Sequence, residues 1–245
     1  MKIARLMDLA RQCGVSCCVV LFCAWSTANA GASPPVPHDP LESLNRVVFS
    51  FNDMLDRAVV KPVALAYTSV APRWVRKGVN NFFGNLDDVW SFANNAITLR
   101  PVATADSLGR VMVNSTVGLL GLVDVATSLD IEKHTTDFGT TLGRWGVAPG
   151  PYVVLPFMGP RTLREVVALP LDRQGNLINH LQDVNTRDGL TVLSFLDLRA
   201  SYLKAGDVID GASLDPYSFV RDSYLQRQRY RQYDGEVPET TEAEP

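Results

Sequence analysis

Residues 39–55, DPLESLNRVVFSFNDML, combine a helix start signal with a helical pattern of apolar residues. Asp39 can cap a helix, and Pro40 is tolerated at the first helical position because the N–H that proline lacks would be unpaired there. Glu42 stands where a capping box has an acid. Apolar residues then follow at spacings of three and four, which predicts one helix face and a helix that ends before Pro62: Leu41, Leu44, Val48, Phe51 and Leu55. We expect Phe51 to be buried in the fold or in lipid.

The same helical pattern recurs along the chain. It predicts further helices at 63–70, 72–83, 86–99, 102–117, 162–169, 177–183, 189–203 and 216–232. The last of these opens on Asp215-Pro216, again an acid followed by proline. Residues 152–155 are the only plausible short strand. The predicted fold class is therefore all-α, a bundle of amphipathic helices with a Gly/Pro-rich loop and at most a short strand.

The first thirty residues have the parts of a secretory signal peptide. Lys2, Arg5 and Arg11 form a basic region, residues 13–25 carry no charge, and Ala28-Asn29-Ala30 fits signal peptidase. The apolar run is shorter than the ~20 residues of a membrane-spanning helix. We expect cleavage after Ala30, and a retained N-terminal anchor is the alternative.

Cysteine usage and the flanking segments set the domain limits. All four cysteines lie inside the segment that would be lost, at Cys13, Cys17, Cys18 and Cys23. The mature domain would then have no disulfide, so burial must stabilise it. Residues 31–38 are a proline-rich leader, 39–233 the folded domain, and 234–245 an acidic tail that we expect to be disordered.

Charge and motifs exclude several classes of protein. The chain carries 23 Lys+Arg against 26 Asp+Glu, and this acidic balance argues against general nucleic-acid binding. It contains no lipase elbow, no H-E-x-x-H and no phosphate loop. Glu132, His134 and Asp137 could form a metal or acid/base cluster, although solvated loop residues are the simpler interpretation. We therefore expect no enzyme and no cofactor.

Residues 111–126 are apolar apart from Asn114, Ser115, Thr116 and Asp124. The segment is too short to cross a bilayer as one helix. One interpretation is a membrane-embedded helix that breaks and flexes near its glycines and lines a lipid path; the other is a core helix with glycines for close packing. An acid in such a stretch should face a cavity, pair, or mark a function. The predicted lipid-path residues are Gly118, Leu119, Leu120, Gly121, Leu122 and Asp124.

The Gly/Pro-rich block at 138–160 cannot be regular helix. It is either a partner-docking element or a long structural crossing loop, and ordered loops beyond ~15 residues are usually functional. Trp145, Tyr152 and Pro156 are the predicted docking residues, with loop-core packing as the alternative for the two aromatics. The basic aromatic helix after Asp215 either contacts lipid headgroups or is a solvated helix end.

Four ordered blocks of the chain resemble the MlaA/VacJ family. The first is Asp39-Pro40-Leu41-Glu42, Asn45-Arg46, Phe49, Phe51 and Asn52, and the second is Asn80, Phe82 and Asn85-Leu86. The third and most specific is Phe138-Gly139, Thr141-Leu142-Gly143, Trp145-Gly146-Val147, Gly150-Pro151-Tyr152, Leu155-Pro156, Gly159-Pro160, Thr162 and Arg164. The fourth is Asp215-Pro216-Tyr217, Arg221-Asp222, Tyr224-Leu225 and Gln226-Arg227.

This resemblance implies a ring-shaped helical protein in the outer membrane, bound to trimeric porins. It implies a central amphipathic channel that takes phospholipid from the outer leaflet to a soluble periplasmic carrier. The alternative is a porin-binding envelope scaffold that transports nothing.

The chain departs from the family at the lipobox, whose cysteine is usually acylated. Phe22 precedes Cys23 where a small residue is required, and Cys17 lies too close to Arg11 to leave room for an apolar region. We therefore expect an outer-membrane protein without acyl chains.

Overall fold

The computed structural model describes residues 39–206 and 214–235. Its helices are Glu42–Leu55 (α1), Lys61–Val70 (α2), Arg73–Ile97 (α3), Pro101–Thr116 (α4), Val125–Ser128 (α5), Phe138–Arg144 (α6), Leu163–Gly175 (α7), Val184–Ser201 (α8) and Pro216–Gln232 (α9). Tyr152–Leu155 (β1) and Gly159–Thr162 (β2) form an antiparallel hairpin. The predicted mostly helical class is confirmed. The predicted signal peptide, the predicted leader and residues 236–245 of the predicted tail lie outside the described residues.

Helix α1 ends at Leu55, before Pro62 as the sequence predicted, but the backbone stays helical after it. A π-helical turn, Asp56–Val60, joins α1 to α2, and the N–H of Lys61 donates to the carbonyl of Asp56, five residues back. Proline cannot donate the bond of an ordinary α-helical turn. The wider π-helical turn lies where that donor is missing, and the backbone therefore remains helical through Pro62.

Helix α3 is one helix of 25 residues where two were predicted. The predicted helices left a gap at Gly84 and Asn85, yet a single glycine inside a helix lowers stability by only ~1 kcal/mol. Helix α4 lies against α3 along its length. Together they form the most extensive helix–helix contact in the described ranges.

The C-terminal part differs from prediction in its boundaries. Leu177–His180 is a short 3₁₀ helix rather than an α-helix to residue 183. Helix α8 begins at Val184, before the predicted start at 189, because the Asp183 carboxylate caps it by accepting the Thr186 N–H at 2.7 Å. Asp234, assigned to the tail, is held in place by Arg100 and Arg144 at 2.6 and 2.9 Å.

The hairpin has one strand more than predicted. Its turn has positive φ at Phe157 (63°) and at Gly159 (74°). The second strand was not predicted because it contains Pro160, and proline is rare within sheets. Two asparagines of α1 then cover the outer edge of β1. Asn45 donates to the Tyr152 carbonyl and accepts the Val154 N–H, at 3.0 and 2.9 Å. Asn52 does the same for Leu155 and Phe157 at 3.0 and 2.9 Å. These side chains satisfy an edge that would otherwise invite pairing with another chain.

Buried side chains in this fold are mostly polar, and large apolar side chains are mostly exposed. The largest fully buried ones are Asn45, Asn94, Asn95, Thr140, Thr141, Thr162, Asp88, Ser91 and Ser107. The predicted stripe of α1 illustrates the inversion: its buried residue is Asn45, whereas Phe51 is 40% exposed and rests edge-on against Phe157. A small apolar cluster of Tyr152, Val154 and Tyr217 lies under the hairpin. No helix in the described ranges is both long enough and apolar enough to cross a membrane.

Candidate functional site

A polar seam joins α3 to α4. Residues at helical spacing on α3 (Asn85, Asp88, Ser91, Asn95) and on α4 (Ala103, Ser107, Arg110, Asn114) are buried. They bond across the helix pair: Asn95 donates to Ser107 at 3.2 Å, and Asn85 donates to Ser115 at 3.0 Å. The seam therefore satisfies most of its polar groups within the protein, the Asn85 Oδ1 excepted, and the outer faces of both helices are left for apolar side chains.

Arg110 is the centre of this seam. Its side chain is 3% exposed and lies 3.1 Å from the carboxylate of Asp88, which is 2% exposed. The same guanidinium donates to both Asp124 oxygens at 3.1 Å, to the Thr127 hydroxyl at 3.2 Å and to the Ile131 carbonyl at 2.7 Å. One cation thus ties α3, α4 and the chain after α4 together, and its partners satisfy it without water.

The predicted lipid-path segment breaks where the sequence indicated. Helix α4 ends at Thr116, and residues 117–123 form consecutive tight turns that we call the apolar turn. Leu119, Leu120 and Gly121 all have positive φ, at 53°, 59° and 89°. Leu119 and Leu120 are 66% and 71% exposed, and Val117, Leu122 and Val123 are exposed beside them. Leucine rarely adopts a positive φ, so the backbone at Leu119 and Leu120 is strained where it holds these side chains outward.

The two glycines of the apolar turn are tightly packed. A Cβ on Gly118 would lie 2.2 Å from the Val123 carbonyl oxygen, and one on Gly121 would lie 2.7 Å from the Asn85 Cβ. The Gly121 N–H donates to the Asn114 carbonyl at 2.7 Å, and the Val123 N–H donates to Gly118 at 2.9 Å. Gly118 and Gly121 therefore permit close packing, and Gly121 also adopts the left-handed backbone conformation of the turn.

Asp124 follows the apolar turn directly and forms an ion pair with Arg110, which is one of the roles expected for it. It caps α5 by accepting the Thr127 N–H and hydroxyl at 3.1 and 2.6 Å, and it accepts from Asn114 at 3.1 Å. Burial favours the neutral acid, but the bonds from Thr127 and Asn114 and the charge of Arg110 outweigh it and lower the Asp124 pKa to about 2. Asp124 is thus an ionised anchor for the turn.

The structure separates the three predicted docking residues. Trp145 is 55% exposed and its ring meets Phe138 edge-on. Pro156 is exposed in the hairpin turn beside Phe157. Tyr152 is only 4% exposed and packs against Tyr217 and Tyr224, so its side chain belongs to the core and is not available to a partner.

Helix α9 uses its aromatic and basic residues mainly for internal contacts. Tyr217 is buried, bonds to Asp39, and has the Arg46 guanidinium 4.4 Å above its ring. Tyr224 bonds to Glu165. Arg231 lies 3.0 Å from Asp137. These contacts fix α9 against the rest of the domain.

The possible metal cluster does not assemble. His134 bonds to Asp106 at 2.9 Å, Glu132 is 3.9 Å from His134, and Asp137 pairs with Arg231. Within residues 39–206 and 214–235, no group of three or more His, Cys, Asp or Glu is arranged to hold a metal ion.

Sequence reasoning missed the polar seam, although a pattern for it exists. Asn85, Asp88, Ser91 and Asn95 recur at spacings of three and four, and so do Ser107, Arg110 and Asn114. A polar stripe with helical period on two successive helices indicates facing polar surfaces as clearly as an apolar stripe indicates a core.

Comparison with known proteins places these features in one family. A family model described as MlaA lipoprotein matches residues 37–231. A relative from Shigella flexneri, named intermembrane phospholipid transport system lipoprotein MlaA, is 33% identical over 220 residues, 86% of this chain and 84% of the relative. The Escherichia coli (strain K12) protein of the same name has the same identity and coverage. An uncharacterized Rickettsia felis protein is 34% identical over 195 residues, 78% of this chain and 76% of that one.

The fold agrees with a solved structure described as the structural basis for maintenance of bacterial outer membrane lipid asymmetry. That structure matches with a TM-score of 0.70 and 33% identity, and the match covers 79% of this chain and 98% of that one. Family model, relatives and fold agree over most of the chain. The chain belongs to the MlaA lipoprotein family.

Proposed function

We propose that this protein transports phospholipid in the outer membrane. It removes mislocalised phospholipid from the outer leaflet through an amphipathic channel and passes it to a soluble periplasmic carrier. The names of its relatives and the description of its structural neighbour, which concern phospholipid transport and lipid asymmetry, support this role. The role is transport rather than catalysis.

The observation that carries the proposal is the inverted distribution of side chains. Water-soluble proteins rarely expose large contiguous apolar patches, and such patches mark membrane or partner contacts. Here the exposed apolar residues of the helix pair and its turn include Trp74, Ile97, Val102, Met112 and Leu120, while Asn, Asp and Arg fill the seam between the helices. A lipid environment on the outside suits this arrangement, because lipid cannot satisfy polar groups and does not penalise apolar ones.

Energetics explains why the route needs both surfaces. Moving acyl chains into water costs about 0.8 kcal/mol per methylene, so a two-chain lipid with roughly 30 methylenes faces more than about 20 kcal/mol. The path must therefore stay apolar for the chains and polar for the headgroup. We assign the apolar turn to the part of this path that contacts the acyl chains. The predicted lipid-path residues are Gly118, Leu119, Leu120, Gly121, Leu122 and Asp124. The leucines contact lipid, and Asp124 with the glycines holds them in place.

The partners in this proposal are a trimeric porin and the periplasmic carrier. Trp145 and Pro156 remain candidate docking residues because both are exposed. Phe157 extends the surface around Pro156, as it is 68% exposed.

For processing, we propose cleavage after Ala30 and no acyl chain, although the relatives are named lipoproteins. Intact mass spectrometry of the membrane-extracted protein should give a chain that begins at Gly31. A mass with a diacylglyceryl-cysteine would overturn this proposal.

The test of transport is a deletion strain complemented with the wild-type gene. We expect surface-exposed phospholipid to accumulate in the deletion and to return to the parental level on complementation. The second candidate is a porin-binding scaffold, which the exposed apolar surface would also suit. Normal surface phospholipid together with altered porin assembly in the deletion would favour the scaffold and contradict transport.

A further inference from the structure

A small cleft lies apart from the apolar turn, between α3, the start of α6, β2 and α7. Its volume is about 230 Å³, and its lining residues are Leu86, Asp87, Trp90, Asp137, Arg161, Leu169, Asp172, Gly175 and Asn176. Pockets for drug-sized ligands occupy about 300–1,000 Å³. The cleft therefore suits a small polar group and not a whole lipid.

Two carboxylates in this cleft have no cation of their own. Asp87 forms no ion pair or hydrogen bond with the residues of 39–206 and 214–235, because Lys133 is occupied by Asp88 at 3.4 Å and the Gly84 carbonyl at 3.2 Å. Asp172 accepts only neutral donors, the Trp90 Nε1–H at 2.9 Å and the Phe138 N–H at 2.8 Å. The third acid, Asp137, is neutralised by Arg231 at 3.0 Å.

Both unpaired carboxylates are in an environment that disfavours charge. Desolvation by neighbouring atoms raises the pKa of Asp87 to about 6 against the opposing charge of Lys133, although Asp87 is exposed to solvent. Burial likewise raises the pKa of Asp172, despite its two N–H donors and the opposing charge of Arg161. A bound cation would relieve this cost at both positions.

Arg161 supplies an unpaired charge of the opposite sign. No carboxylate oxygen lies within salt-bridge distance of its guanidinium among the described residues, and its Nε–H is buried without an acceptor. An unsatisfied buried donor is costly, and a guanidinium matches a phosphate with two parallel hydrogen bonds. The cleft thus holds an anion-binding group and two cation-binding groups, and none of the three forms an ion pair at salt-bridge distance within residues 39–206 and 214–235, although the charges of Arg161 and Lys133 act on Asp172 and Asp87.

We propose that this cleft binds the headgroup of a zwitterionic phospholipid, with Arg161 on the phosphate and Asp87 and Asp172 on the amine. The inference rests on the proposed transport function and names the lipid class that the path selects. Two carboxylates against one guanidinium disfavour a headgroup that carries a phosphate and no amine. Trp90 fixes the geometry: it holds Asp172, and its ring packs so closely on Gly175 that a Cβ there would lie 2.1 Å from it.

The test measures bound lipid on the full-length detergent-solubilised protein. The protein is incubated with mixed micelles of equal phosphatidylethanolamine and phosphatidylglycerol and re-isolated, and its lipids are quantified by mass spectrometry. We expect phosphatidylethanolamine to be enriched about fivefold, the affinity ratio that corresponds to the free energy of one partly exposed charge pair. Asp87→Asn with Asp172→Asn should abolish the enrichment, because asparagine keeps the hydrogen bonds from Trp90 and Phe138. Arg161→Gln should lower the total of both lipids.

Asp188→Asn is the matched control, because it removes an exposed acid of α8 outside the cleft and should leave the ratio unchanged. Lipid bound at the micelle ratio by the wild type, or enrichment that survives the double substitution, would refute headgroup selection and leave transport standing. A protein that binds no lipid at all would overturn both proposals. Free phosphoethanolamine, added alone, should bind far more weakly than the lipid; equal affinity would assign the cleft to a soluble zwitterion instead.

Discussion

The polar seam and the apolar turn are adjacent in sequence, yet they place their side chains in opposite ways. The seam buries Asp88, Arg110 and Asn114 between two helices, and the turn exposes Leu119 and Leu120 on a strained backbone. Arg110 connects the two regions, because it binds Asp88 in the seam and Asp124 at the end of the turn. Hydrogen bonds and ion pairs therefore hold the inside of this helix pair together, while its large apolar residues face outward.

The largest effect should come from removing the cation of the seam. Arg110→Met removes the buried partner that Asp88 shares with Asp124, and Asp88 keeps only the partly exposed Lys133 at 3.4 Å. Breaking a buried pair typically costs about 3–5 kcal/mol. We expect a large drop in the thermal unfolding midpoint of the detergent-solubilised protein. Arg187→Met is the control, because Arg187 pairs at the surface with its exposed neighbour Asp188. Equal midpoints for the two variants would show that the seam does not stabilise the fold.

The glycines of the apolar turn come next. Gly118→Leu and Gly121→Leu place side chains where a Cβ already lies under 3.0 Å from its neighbours, and overpacking costs about 1–3 kcal/mol per site. We expect lower abundance in the membrane together with lower transport. Gly189→Leu is the control, because nothing lies within 4 Å of its Cβ position. Normal abundance with impaired transport per molecule would instead indicate that the turn flexes as a gate.

A smaller and more selective effect should follow from making the apolar turn polar. Leu119→Asp with Leu120→Asp keeps the positive φ, which Asp tolerates better than leucine, and removes apolar surface. We expect several-fold less protein in the membrane fraction and an unchanged unfolding midpoint. Ser128→Asp adds a charge at a nearby exposed position and should leave fractionation unaltered. If the double variant fractionates like Ser128→Asp, the turn does not contact lipid.

The smallest effect concerns pH. The Asp124 pKa is lowered to about 2 in the fold, against about 3.9 in an unfolded chain. A lowered pKa stabilises the fold above pH ~4, and this contribution is lost as pH falls towards ~2. Unfolding midpoints of the wild type should therefore fall more steeply over this window than those of Asp124→Asn. Parallel pH profiles would show that Asp124 does not anchor the turn through its charge.

Much of the architecture could be predicted because local rules determine it. Pro101 and Asp215-Pro216 mark the starts of α4 and α9, and the break after Thr116 follows from Gly118 and Gly121. The helical bridge through Pro62 could not be predicted, because it depends on a π-helical turn whose bonds leave no mark in the residue pattern. Tyr152 shows the same limit at the site, since only the packing of α9 against the hairpin decides that this aromatic is buried.

The residue pattern alone was enough to predict a helical protein with amphipathic helices and to identify the sequence blocks of the MlaA family. Periodicity shows that a helix has a polar and an apolar face, but it does not say which face meets the rest of the protein. Only the tertiary structure decided that Asn45 points inward and Phe51 outward, and that Asp88 meets Arg110. The reason is that burial depends on which partner a face finds: the polar stripes of α3 and α4 find each other, and Asn45 finds the backbone edge of β1.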